Sequence, residues 1–124
     1  MKGISKLVGR RLNKVKVLIL GFTSIPQLNK VINELIEESQ CFLFSIVCGG
    51  VGSKGPKSVA EEWAELNGAP LYYIVKDTPE KLMYSLVQEC DFLVCALTAT
   101  SPQWHKNIVM KFKSEGKHGK VVQL

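Results

Sequence analysis

The feature that most constrains the fold is a strict alternation of apolar runs with amphipathic segments. Runs of apolar residues of this length are typical of strands buried on both faces of a sheet. Alternating strands and helices predict a parallel sheet covered by helices. We therefore expect an α/β fold, a three-layer Rossmann-like sandwich with a five-stranded, mainly parallel sheet. The five predicted strands are VKVLILGF (15–22), CFLFSIVC (41–48), PLYYIV (70–75), DFLVCALTA (91–99) and KVVQL (120–124).

Four helices are predicted between these strands, and each has a recognisable start or stop signal. The first covers residues 23–39, with Thr23 or Ser24 as its cap. The second lies near residues 57–68 and stops at a Gly, and the third has a Thr-Pro start within residues 77–90. The fourth covers residues 101–117, with Ser101 as its cap and a Pro as its first residue.

Length and charge indicate one domain preceded by a basic arm. A chain of 124 residues suits a single domain, which we assign to residues 15–124. The arm, residues 1–14, carries lysines and arginines and no acidic residue, and the whole chain has a net charge of +5. Such an arm can hold nucleic-acid phosphates. Aromatic residues are not interleaved with these charges as in single-strand binders, so a nucleic-acid-associated protein is the less favoured alternative.

Apolar run length and cysteine usage predict a cytoplasmic protein without a membrane segment. No apolar run reaches the roughly 18–20 residues that cross a bilayer, and no secretory signal pattern begins the chain. The cysteines lie in or beside predicted strands without a Cys-x-x-Cys pair, so we expect reduced, buried thiols and no metal site. The four cysteines are Cys41, Cys48, Cys90 and Cys95.

A glycine-rich stretch, GGVGSKGPKS at residues 49–58, separates the second predicted strand from the second helix. Glycines let backbone N–H groups approach an anion, and the start of the following helix favours negative charge. We therefore expect a seat for a phosphate-bearing nucleotide or a nucleotide-derived ligand; the alternative is a tight turn without a ligand. The stretch matches neither the P-loop nor the dinucleotide-binding fingerprint.

Ligands of parallel α/β sheets bind at the carboxyl ends of the strands, which defines the other segments of the predicted site. The residues expected to contact the ligand are Gly21, Thr23, Ser24, Gly49, Gly50, Gly52, Ser53, Lys54, Gly55, Lys57, Ser58, Thr98, Thr100 and Ser101.

Three segments, KVLILGF, CGGVGSKGPKSVAEEWAELNGAPLYYI and CDFLVCALTATSPQWHKNIV, resemble the SLOG superfamily of Rossmann-like domains. The similarity covers about residues 15–124 and is greatest to the small stand-alone YspA- and YpsA-like members. It implies that Gly49, Gly50 and Gly55 form a nucleotide- or phosphate-binding loop and that residues 98–101 face the same ligand.

The chain departs from the pattern of this superfamily in two places. The Gly-Ala-Asp that follows the glycine pair in relatives reads Gly55-Pro56-Lys57 here. The Pro-Gly-Gly-x-Gly-Thr-x-x-Glu motif of the related LOG phosphoribohydrolases is replaced by TATSPQWHK. The resemblance therefore favours a sensing or regulatory module without a cofactor over an enzyme.

A hydrolase acting on N-glycosidic or phosphate bonds of nucleotides is the enzymatic alternative, with two candidate residues. Glu61 follows the glycine-rich stretch by about one helical turn and would act on a ribose or a water; otherwise it is a solvent-facing charge beside Glu62. His105 lies early in the last helix and would serve as acid or base, or contact a phosphate. Its alternative is a surface histidine without a role.

The last predicted helix also suggests a homodimer. Its apolar residues exceed what the edge of a small sheet needs, and relatives in the superfamily commonly dimerise. These residues are Trp104, Ile108, Val109 and Phe112.

Overall fold

The computed structural model describes residues 15–39 and 44–124. Strands and helices alternate along the chain, as the sequence predicts. The elements are β1 (Lys16–Leu20), α1 (Ile25–Ser39), β2 (Ser45–Val51), α2 (Val59–Asn67), β3 (Leu71–Lys76), α3 (Pro79–Glu89), β4 (Phe92–Leu97), α4 (Gln103–Ser114) and β5 (His118–Gln123).

The five strands form one parallel sheet in the order β3-β2-β1-β4-β5. Helices α1 and α2 pack on one face of the sheet, and α3 and α4 pack on the other. The predicted three-layer Rossmann-like sandwich is therefore confirmed, with a sheet that is entirely parallel. Strand order reverses between β1 and β4, so the crevice typical of such sheets is expected where these strands end.

Each face of the sheet has its own apolar core. Leu28, Ile32 and Trp63 of α1 and α2 are buried against Val17 and Ile46 of the sheet. On the other face, the buried side chains come from α3, α4 and alternate positions of the same strands, and they include Leu18, Leu82, Leu86, Leu93 and Phe112. Alternation of this kind is what a strand buried on both faces requires.

The structure corrects the bounds of β2, and with them the length of the glycine-rich loop. We predicted a strand over residues 41–48; β2 instead begins at Ser45 and continues to Val51, and residues 40–43 lie outside the described part. Gly49 and Gly50 are strand residues that pair with β3. A Cβ on Gly50 would lie 2.3 Å from the Ser53 carbonyl oxygen, so close backbone packing requires this glycine.

Most of the predicted helix signals are confirmed. The Ser24 hydroxyl accepts a hydrogen bond from the Gln27 N–H at 3.4 Å, and the Thr78 hydroxyl accepts one from the Lys81 N–H at 3.2 Å. Gly68 ends α2 in the left-handed region, with φ of 64°.

The structure also bears on two predictions about membranes and partners. Among the described residues, no helix has the length and apolar content to cross a membrane. Of the four apolar residues of α4 that suggested a homodimer, Ile108, Val109 and Phe112 are buried in the core of the chain itself, and Trp104 is partly buried against that core. The three buried residues offer no surface to a second copy, and the homodimer stays a prediction. The basic arm, residues 1–14, lies outside the described residues.

Gly21, which directly follows β1, packs closely against the backbone of β4. Its φ is 83°, and a Cβ there would lie 2.1 Å from the Ala96 carbonyl oxygen. Gly52 has a similar φ of 79°, but a Cβ at Gly52 would meet open space. The two glycines therefore separate the effect of backbone strain from that of a steric clash.

We expect Gly21→Ala to lower the free energy of unfolding by about 3–5 kcal/mol, since left-handed strain and overpacking both act there. Gly52→Ala should cost only roughly 1–2 kcal/mol, the strain alone. Urea denaturation of both variants measures the difference. Equal losses would contradict the close contact between β1 and β4.

Lys117, which directly precedes β5, forms hydrogen bonds with the C-terminus of α3. Its ammonium donates hydrogen bonds to the carbonyl oxygens of Val87 and Cys90, the second at 2.8 Å. A cation in this position satisfies helix carbonyls that have no partner within the helix and complements the helix dipole. This lysine, which the sequence places at the end of the last predicted helix, is a structural residue.

Replacement of Lys117 by Met should lower the free energy of unfolding by about 1.5–3 kcal/mol, because charge-assisted hydrogen bonds are lost. The matched control is Lys113→Met, since Lys113 is exposed at the end of α4 and should change stability by about 0.5 kcal/mol or less. Chemical denaturation compares the two variants. A loss at Lys113 as large as that at Lys117 would contradict the assignment.

Candidate functional site

A cavity lies at the carboxyl edge of the sheet, beyond the last residue pair that joins β1 to β2. That pairing ends at Leu18 and Val47, whereas β1 continues beside β4 to Leu20 and β2 continues beside β3 to Val51. The cavity has a volume of about 170 Å³. Its lining residues are Ile19, Leu20, Gly21, Phe22, Cys48, Gly49, Ser58, Val59, Ala60, Tyr73, Trp104 and His105.

The start of α2 borders this cavity and carries a reciprocal cap. The Ser58 hydroxyl accepts a hydrogen bond from the Glu61 N–H at 3.3 Å, and a Glu61 carboxylate oxygen accepts one from the Ser58 N–H at 2.9 Å. This is the capping-box arrangement of a Ser followed three residues later by a Glu. Glu61 is only 3% exposed, so neither the solvent-facing position nor the free catalytic carboxylate considered from the sequence describes it.

The second carboxylate oxygen of Glu61 binds a lysine of the glycine-rich loop. It lies 3.1 Å from the Lys54 ammonium, while the Tyr73 hydroxyl donates a hydrogen bond to the Lys54 carbonyl oxygen. Burial by itself would raise the pKa of Glu61, but the Ser58 N–H and the Lys54 ammonium outweigh it and hold the pKa below its usual value. The anion that we expected at this loop is therefore supplied by the chain itself.

The rest of the loop lies outside the cavity. Residues 52–57 are exposed, and Lys57 forms an ion pair with Glu65 on the outer side of α2. Glycines at 52 and 55 have positive φ with open space around them, so they shape a turn. Of the predicted loop residues, only Gly49 and Ser58 line the cavity.

Glu61→Gln should lower the free energy of unfolding by roughly 1–2 kcal/mol at pH 7, since a charge-assisted cap and an ion pair with the exposed Lys54 ammonium are weakened. Because the folded pKa of Glu61 lies below its usual 4.5, its contribution is present above that pH and is lost as the pH falls through the folded pKa. The difference from the wild type should therefore shrink towards pH 3. Glu62→Gln, at an exposed position in the same turn, is the control; an equal effect there would contradict the cap.

The loops after β1 and β4 meet at the point where strand order reverses. Thr23 and Ser24 are exposed after β1, and the turn after β4 contains a compact set of hydroxyls. The Thr98 N–H donates to the Ser101 hydroxyl at 2.8 Å, and the Thr100 N–H donates to the Thr98 hydroxyl at 3.2 Å. The predicted site residues of both loops thus share one edge of the sheet.

The start of α4 differs from our prediction. Ser101 does not cap the helix, because its hydroxyl accepts the Thr98 N–H instead; Pro102 occupies the cap position, and no side chain in the described residues caps α4. Neither α1 nor α4 has an acidic residue in its first turn, whereas α2 has Glu61 and Glu62 there. No acidic side chain therefore compensates the positive ends of α1 and α4; at α1 the Ser24 hydroxyl accepts one N–H, whereas α4 has no side-chain cap.

His105 lies in the first turn of α4 and lines the cavity. Its Nδ1 atom is shielded from solvent and has no hydrogen-bond partner among the described residues. Its ring packs edge-on against Trp104 with ring centroids 4.3 Å apart. Burial lowers the pKa of His105, which favours the neutral imidazole.

Redox or metal chemistry finds no support in the described residues. Burial raises the pKa of Cys48 and Cys95 to about 11 and that of Cys90 to about 12, so these thiols are protonated. All three are free and buried, and no group of three or more metal-ligating side chains is found in the described ranges. Cys41 lies outside those ranges.

Sequence reasoning missed several residues of this site. Phe22 and Tyr73, which line the cavity, were assigned only to predicted strands, and Ala60 was placed in the second predicted helix without a ligand contact. No local pattern marks such residues, because they come from separate elements. The role of Glu61 did have a signal, since Ser58-Val59-Ala60-Glu61 matches the capping-box spacing.

Comparison with known proteins adds no family to this description. No family model matches the sequence, and no curated protein is significantly similar to it.

Proposed function

We propose that this chain binds a nucleotide or a nucleotide-derived phosphate ligand at the carboxyl edge of its sheet, as a sensing or regulatory module. The observation that carries the proposal is the cavity beyond Leu18 and Val47, bordered by a helix start that no described side chain caps. Ligands of parallel α/β sheets bind at this edge, next to the reversal of strand order. The resemblance to the SLOG superfamily supports the same class of ligand.

The phosphate is expected at the starts of α1 and α4. Neither helix carries an acid in its first turn, and the hydroxyls of Thr98, Thr100 and Ser101 lie beside the second of them. Free N–H groups at a helix start, together with its dipole, attract anions. At α2, by contrast, a phosphate would have to compete with the Glu61 carboxylate for Ser58 and Lys54.

The size of the cavity limits what can enter it. Its volume of about 170 Å³ is below the roughly 300–1,000 Å³ of pockets that enclose a whole drug-sized ligand. One ring or one small group fits, and the remainder of a nucleotide extends over the edge towards the two helix starts. Catalysis is not part of the proposal, because both carboxylate oxygens of Glu61 already have partners.

The test is a calorimetric titration with nucleoside monophosphates and ribose 5-phosphate, on the wild type and two matched variants. Thr100→Glu adds a negative charge beside α4, and Ser53→Glu adds one to the glycine-rich loop; both positions are exposed. Thr100→Glu should weaken binding about tenfold, since a like charge at about 4 Å costs on the order of 1–4 kcal/mol. Ser53→Glu should leave the affinity within about twofold.

Two results would count against the proposal. Absence of binding for every probe would contradict the function itself. If Ser53→Glu weakens ligand binding and Thr100→Glu does not, the phosphate binds at the glycine-rich loop. That result would contradict the site at the start of α4.

A further inference from the structure

A second cavity lies between α1 and α2, at the amino edge of the sheet. It is lined by Ser45, the first residue of β2, and by Ala69 and Pro70, which directly precede β3. Its volume of about 350 Å³ is about twice that of the cavity at the carboxyl edge. This volume falls within the roughly 300–1,000 Å³ of small-molecule sites. The proposed function gives this second cavity no role.

The wall of the second cavity combines apolar surface with uncharged polar groups. Ile36, Phe44 and Pro70 supply apolar surface, and none of the described lining residues is a Lys, Arg, His, Asp or Glu. An ion on this wall would give up hydration without meeting an opposite charge. The wall therefore suits a neutral molecule, in contrast to the helix starts at the opposite edge of the sheet, where we place a phosphate.

Trp63 fixes the orientation of two asparagine amides that line the second cavity. Its indole N–H, which can only donate, donates to Asn29 Oδ1 at 3.1 Å. Its backbone carbonyl, which can only accept, accepts a hydrogen bond from Asn67 Nδ2 at 2.9 Å. Asn29 therefore offers its NH₂ group as a donor, and Asn67 offers its side-chain oxygen as an acceptor. Both residues are exposed, so a ligand can reach these two groups.

We propose that the second cavity is a separate ligand site, which binds a neutral carboxamide carried on an apolar ring. The carboxamide oxygen accepts a hydrogen bond from Asn29 Nδ2, and the carboxamide N–H donates one to Asn67 Oδ1. The ring lies against the apolar wall. A carboxylate of the same shape is charged and has no N–H to donate, so the site discriminates against it. This site is independent of the proposed phosphate site.

The two tryptophans of the chain allow the two cavities to be observed separately. Trp63 lines the second cavity, Trp104 lines the cavity at the carboxyl edge, and the chain has no other tryptophan. Each indole N–H gives one cross-peak in a ¹H–¹⁵N correlation spectrum, and Trp104→Phe assigns the two peaks by removing one of them. A titration followed in this way shows which cavity a probe enters.

The probes are benzamide, acetophenone and benzoate. Benzamide should shift the indole signal of Trp63 and leave that of Trp104 in place. Acetophenone has a methyl group where benzamide has NH₂, so it should bind about three- to tenfold more weakly, as the loss of one hydrogen bond predicts. Benzoate has the same shape as benzamide and carries a charge, so it should bind at least about tenfold more weakly than benzamide.

Asn29→Asp separates hydrogen bonding from packing. The aspartate keeps an oxygen for the Trp63 indole N–H but has no NH₂ group, so benzamide should bind about tenfold more weakly. Asn107→Asp is the matched control, because the Asn107 side-chain oxygen likewise accepts a hydrogen bond, from Gln103 Nε2 at 3.1 Å. Asn107 is exposed on α4 and lines neither cavity, so its variant should bind benzamide within about twofold of the wild type.

Three results would overturn the proposal, whatever the titration with nucleotides gives. Benzamide that shifts neither indole signal, or only that of Trp104, does not bind in the second cavity. Equal affinities for benzamide, acetophenone and benzoate would show that the carboxamide is not recognised. Unchanged benzamide binding by Asn29→Asp would show that Asn29 is not the donor. If Asn29→Asp fails to fold, the comparison of the three probes on the wild type still decides whether the site selects a carboxamide.

Discussion

The pairing of β1 with β4 is the contact on which the rest of the structure depends. It joins the two halves of the sheet, and it continues to Leu20 and Cys95, where Gly21 packs on the Ala96 carbonyl. No side chain fits between these backbones, so the loops after both strands begin at the same point. As a result α1 and α4, which lie on opposite faces of the sheet, both follow strands that end at this edge. The candidate site is a consequence of that geometry.

A second constraint acts within the glycine-rich loop. The loop has the composition of an anion seat, but Glu61 supplies the anion from within the chain. The glycines serve the backbone instead: Gly50 makes room for the Ser53 carbonyl, and the glycines at 52 and 55 shape an exposed turn. Because this helix start is already neutralised, the uncompensated starts of α1 and α4 become the better places for a negatively charged group.

Much of the fold could be predicted from the sequence because it is encoded locally. Continuous apolar runs marked the strands, and Ser24 and Thr78 marked helix starts that the structure confirms. Predictions failed where another contact overrides the local signal, either with a neighbouring strand or within the same turn. β2 continues through two glycines because β3 pairs with them, and Ser101 does not cap α4 because Thr98 binds its hydroxyl.

The candidate site was predictable only in part. Its edge of the sheet followed from the parallel architecture, and Gly21, Gly49, Ser58 and His105 were expected there and line the cavity. The cavity itself depends on where the pairing of β1 with β2 stops, which no local pattern encodes. The capping box could be predicted from the spacing of Ser58 and Glu61. That Glu61 also binds Lys54, and so supplies the negative charge at this loop, could not be predicted from that spacing.

The most direct measurement is a crystal structure of the protein with adenosine 5′-monophosphate at saturating concentration. We expect a phosphate against the backbone at the start of α4, with the ion pair of Glu61 and Lys54 intact. A phosphate seated on the glycine-rich loop, with Glu61 displaced from Lys54, would contradict it. So would a carboxyl edge that stays free of ligand while the nucleotide binds elsewhere.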